Sequence, residues 1–160
     1  MRAAIAVLCL LSGLLVGCGS PAPSGDVTDQ AKPGDDVIVK ALDTIFTWQP
    51  GTDASTIDGY RRAAPLLTQS LADKSSAGSD VRPSAQWQDW ARRKVSVNAT
   101  TFIVAGEHPA DTPDRIERTA VVTQTVVDPA ASSQTLAPFN AYVVAVRTSA
   151  GWRVSDIAIR

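Results

Sequence analysis

Apolar residues recur at helical spacing in the first half of the chain and at alternating spacing in the second. In Val37–Trp48 (VIVKALDTIFTW), Ile38, Leu42 and Ile45 fall on one face, with Val37, Ala41 and Phe46 beside them. That spacing predicts a helix, with Asp35 or Asp36 as its N-cap and Gln49-Pro50-Gly51 as its end. Ser55-Thr56-Ile57-Asp58 has the form of a capping box with aspartate in the N3 place, opening a second helix through Arg62. Pro65 then kinks that helix or starts a new turn carrying Leu66, Leu67 and Leu71. Residues 75–83 read as a polar loop, and 84–92 as a short helix with Trp87 and Trp90 on one face.

After Arg93 the period changes. Residues 95–104, 116–127, 139–148 and 152–159 are rich in Val, Thr and Ile with partial alternation, which predicts strands. Gly106-Glu107-His108-Pro109 and Asp128-Pro129 supply loops, and Ser149-Ala150-Gly151 a tight hairpin. Helices followed by strands predict an α+β domain over 37–160, its N-terminal helices packed on a curved antiparallel sheet of about four strands.

One apolar stretch stands outside this scheme. Residues 3–16 follow a single charge, Arg2, and are too few for the roughly 20 residues of a membrane helix. That is the anatomy of a secretory signal. Leu15-Val16-Gly17-Cys18 resembles a bacterial lipobox. The resemblance implies cleavage after Gly17 and a diacylglyceryl group on Cys18, whose two acyl chains suffice for stable anchoring. Cys9 would leave with the signal and Cys18 would be alkylated, so redox and cysteine–metal chemistry are excluded for the mature chain. Residues 18–36 then form a lipidated cysteine and a Pro/Gly tether of about 25 Å mean reach. The expected location is the outer face of the cytoplasmic membrane.

Composition narrows the function only slightly. Among 160 residues, 16 acids balance 15 bases, which argues against a nucleic-acid binder held by a general basic field. Arginine outnumbers lysine, a bias common in GC-rich genomes. Phe46-Thr47-Trp48-Gln49-Pro50, Arg62-Ala63-Ala64-Pro65-Leu66-Leu67-Thr68, the Trp87/Trp90 helix and Gly151-Trp152-Arg153-Val154 carry a resemblance. Together they resemble actinobacterial proteins of the nuclear transport factor two-like (cystatin-like) superfamily, nearest the TcpC-like conjugation proteins, fold relatives of the type IV secretion scaffold. Members of that group usually begin with a membrane helix, where this chain has a lipobox. The resemblance implies a cone enclosing a pocket, which serves as an active site in some relatives and is blocked in others. It also implies self-association through the open sheet face.

Few polar residues suit such a pocket. His108 sits in a turn beside Glu107 and reads as a surface histidine; Asp111 and Asp114 read as solvated loop acids rather than a cation site. Asp156 lies across the Gly151 hairpin from Arg147, which predicts a diagonal cross-strand ion pair. If Asp156 instead faces an apolar cavity, Tyr142 and Trp152 are its candidate pocket partners. The four tryptophans read as core, and Arg61-Arg62 and Arg92-Arg93-Lys94 as helix C-terminal cations. Phosphate loops, nucleophile elbows and metal-ligand spacings do not occur, so no cofactor and no catalytic residue are assigned. The expected function is a membrane-anchored protein-binding domain, an accessory of a conjugation or secretion apparatus. A small-molecule carrier or enzyme using the cone pocket is the first alternative, a structural envelope lipoprotein the second.

Overall fold

The computed structural model describes residues 33–77 and 83–160; the expected signal, the expected lipidation site at Cys18 and the expected tether up to residue 32 lie outside the described residues. Helix α1 spans Pro33–Phe46. It opens four residues before the expected Val37, because Pro33, with its preset φ and missing N–H, suits a first helical position. Asp35 and Asp36 therefore lie in the first turn rather than at the N-cap. Helix α2 covers Ile57–Ala63. The expected capping box is half formed: Asp58 Oδ2 reaches back to the Ser55 N–H at 3.1 Å, while Ser55 Oγ takes the Ile57 N–H at 3.3 Å. Pro65 sits in a single 3-10 turn, Ala64–Leu66, after which Thr68 caps α3 (Gln69–Ser76). Ser84 caps α4 (Ala85–Arg93), accepting the Trp87 N–H at 3.1 Å.

Five antiparallel strands follow: β1 Ser96–Ile103, β2 Arg115–Val127, β3 Gln134–Thr135, β4 Phe139–Thr148 and β5 Gly151–Ile159. Their order is β1-β2-β4-β5, with the two-residue β3 paired to β2. The expected α+β architecture is thus the one formed; only the β3 pairing was not foreseen. No helix among the described residues is long and apolar enough to cross a membrane.

Alternation on the strands decides which face is buried. Ile116, Ala120 and Val122 of β2, Ala141, Val143 and Ala145 of β4, and Val154 of β5 point inward against Ile38, Ala41, Leu42 and Ile45 of α1. Ile38, Leu42, Val122, Val143 and Val154 are fully buried, so helix and sheet meet through an apolar core. A smaller cluster, Val95, Val97 and Val126, packs with Trp48 and Trp90 under the other end of the sheet. Trp87 is buried, its Nε1 donating to the Asp53 carbonyl at 3.2 Å. The tryptophans therefore serve packing, as their spacing predicts.

Candidate functional site

The outer face of the sheet carries the residues that the core leaves over. Paired residues share a face, so β2 contributes Glu117, Thr119 and Val121, and β4 contributes Val144, Tyr142 and Asn140 opposite them. On β5, Asp156 and Ala158 lie opposite Val144 and Tyr142. The rungs Glu117–Val144–Asp156 and Thr119–Tyr142–Ala158 thus run side by side. The loop carrying Glu107 and Pro109 completes a groove of about 320 Å³ over them.

Of the three candidate pocket residues, Tyr142 and Asp156 line this groove and Trp152 does not. Trp152 is on the inner side, 3.4 Å from the place a β-carbon on Gly34 would occupy. Strand alternation alone would put positions 152, 154 and 156 on one face. The register breaks at a bulge: Ala145 pairs with Val154 but Val144 with Asp156, leaving Ser155 extra. The bulge sends Asp156 outward, away from the cone interior. The expected ion pair with Arg147 does not form either: the hairpin register sets Arg147 opposite Trp152, four residues from Asp156, beyond the reach of a diagonal pair.

A polar site that sequence reasoning missed lies at the groove's end. Arg118 occupies an inward position of β2 between Ile116 and Ala120, and only 4% of its side chain is exposed. A guanidinium there must be matched by carboxylates. Its Nε donates to Asp35 Oδ1 of α1 at 2.8 Å, and its two terminal nitrogens donate to Asp111 Oδ1 and Oδ2 at 2.6 and 2.8 Å. These carboxylates raise the guanidinium above its ordinary range, the Asp111 hydrogen bonds most. Asp111 is therefore a clamp rather than a solvated loop acid, and it draws the 104–114 loop onto the sheet edge. His108 is one-third exposed, its Nδ1 3.3 Å from Arg118 and 2.8 Å from the Pro109 carbonyl. The signal was available: an arginine in the inward phase of an alternating strand.

The basic clusters are paired where they stand. Arg61 binds Asp58, Arg62 binds Asp53, and Arg92 and Arg93 bind Asp89, with Arg93 also reaching Asp128. Among the described residues, no group of three His, Cys, Asp or Glu side chains stands close enough to hold a metal ion.

No family model matches the chain, and no curated protein matches it. Solved structures do. CagV, a VirB8 homologue of the type IV secretion system of Helicobacter pylori, is 13% identical, with 78% of this chain and 94% of CagV covered at a TM-score of 0.53. VirB8 of Agrobacterium tumefaciens is 9% identical, with 81% and 93% covered at 0.52. The described residues thus have the α+β fold of the VirB8 structures.

Proposed function

We propose that this chain is a lipid-anchored, extracytoplasmic protein-binding domain that serves as an accessory of a conjugation or secretion apparatus. The observation that carries the reading is the bare outer face of the sheet. It presents Phe102 at 63% and Tyr142 at 45% exposure, and rigid aromatic rings on a firm scaffold are what protein interfaces use as anchors. The fold shared with CagV, described as part of a type IV secretion system, supports the setting. The lipobox ending in Cys18 supports the anchor.

The test uses the full chain in its native host, with a photo-cross-linking residue at Phe102 or at Gln69 on the far helical side. Capture of membrane proteins of one transfer or secretion system from Phe102, and not from Gln69, is the expected result. Identical recovery from both positions would sink the reading. Cys18→Ala should in parallel move the protein from the membrane to the soluble fraction; continued membrane retention would refute the lipid anchor.

A carrier or enzyme remains as a second reading because Tyr142 and Asp156 share one groove. On this reading the ligand sits on the outer face, because that is where Tyr142 and Asp156 stand together.

A further inference from the structure

We infer that the groove beside Tyr142 seats a basic side chain, arginine or lysine, of the protein partner. The inference rests on the protein-binding reading and adds the chemistry of what is bound. The floor is apolar, built by Tyr142, Val144 and Ala158, and the rim carries Glu107, Glu117 and Asp156. Glu117 and Asp156 flank Val144 on one rung of three strands, so their backbones stand about 10 Å apart, enough for one extended side chain between them. Among the described residues, Glu107 and Asp156 have no ion-pair partner, and Glu117 lends only Oε1 to Arg115. Arg118, which also borders the groove, is already neutralised by Asp35 and Asp111. The field at the rim is therefore negative.

A second observation is independent of those acids. The guanidinium carbon of Arg160 lies 5.5 Å from the centroid of the Tyr142 ring, within cation–π range. A cation of the chain itself thus already stands on the aromatic ring that lines the groove. An arginine or lysine would lay its aliphatic stem along Val144 and Ala158 and bring its head to the carboxylates, satisfying floor and rim together. A partner arginine would displace Arg160 from the ring. An anionic ligand would meet three carboxylates, and a neutral one would leave them uncompensated.

The test places the full lipidated chain in phosphatidylcholine nanodiscs and titrates it calorimetrically with two blocked peptides, Gly-Val-Arg-Val-Gly and the same peptide with citrulline for arginine. The arginine peptide should bind at least about tenfold more tightly. Raising salt from about 50 to about 300 mM should shrink that preference. The double variant Glu117→Gln/Asp156→Asn should lose most of it without a change in melting temperature, with Asp156→Asn alone substituting if the double variant melts early. Arg160→Ala should tighten binding several-fold. Equal binding of the two peptides, no binding at about 5 mM, or an undiminished preference in the carboxamide variants would overturn the inference. Capture from Phe102 without an arginine preference would sink the basic seat and leave the protein-binding reading. An arginine preference without capture would do the reverse.

Discussion

Gly59 of α2 lies against the backbone of α1 so closely that a β-carbon at this position would fall 2.0 Å from the carbonyl oxygen of Ile45. The two helices cross at that point, and the obstacle is backbone on both sides, so no side chain can turn away. Gly59→Ala should cost about 3 kcal/mol, at the upper end of overpacking effects. Gly106, with nothing within 4 Å, is the control, and its alanine variant should stay within about 0.5 kcal/mol in the same urea titration.

Arg118 ties β2 and the loop that leads into it to the first turn of α1, which is distant in sequence. Arg118→Leu would leave Asp35 and Asp111 without their cation. Both carboxylates are partly solvated, at 20% and 25% exposure, so the loss should be about 2 to 3 kcal/mol, below that of a fully buried pair. Hydrogen exchange should show faster opening of the 104–114 loop, which Asp111→Asn reproduces in milder form. Unchanged exchange in that loop would show that the clamp does not hold it.

Asp43 on α1 has a buried Oδ1 without a hydrogen-bond partner, beside the equally unpartnered Thr101 hydroxyl. Burial pushes its carboxyl above the ordinary 3.8, and its polar contacts with Thr101, which lower it, offset only part of the rise. A carboxyl raised on folding contributes stability that is full below the unfolded value and lost as pH rises through the folded one. Asp43→Asn should therefore raise the melting temperature at pH 7, with a gain that fades towards pH 4 and vanishes below 3.8. A gain of equal size at pH 3.5 and pH 7 would exclude ionisation as the cause.

Lys94 ends α4 in the left-handed conformation, φ 57°, with its N–H turned back to Ala91 and Trp90. A side chain there is strained where glycine is not. Lys94→Gly should add about 0.5 to 1 kcal/mol, read as a higher urea midpoint at unchanged slope.

Much of this fold was legible because its periods are clean. Ile38, Leu42 and Ile45 could mark only one face of α1, and the β4 boundaries followed from Phe139 and Thr148 flanking an alternating run. The helix start at Pro33 was less visible, since proline and glycine also compose tethers. Arg118 is hard to read because it stands outside the basic clusters, and only its phase along β2 marks it as inward. The pairing of Tyr142 with Asp156 in one groove, and the exclusion of Trp152, depended on a bulge that no residue type announces. Alternation reports a face only while the ladder is unbroken.

Ser155 is that break, and its removal makes a sharp test. Counted from the hairpin, Trp152 and Val154 point inward; with Ser155 set aside, Asp156 follows outward and Ile157 inward, as in an uninterrupted strand. Deleting Ser155 should therefore keep every other β5 residue on its face and let Val154 keep its bond to the Thr68 N–H. The cost should be small, about 1 kcal/mol for the lost local bend. Deleting Arg153 should behave differently. The bulge would be absorbed, Val154 would move to the outer face and Ser155 would enter the core in its place. A fully buried valine exchanged for serine costs about 3 kcal/mol. Chemical denaturation of the two deletions side by side decides the matter. Equal destabilisation would mean that Ser155 is not the extra residue and that the outward placement of Asp156 has another cause.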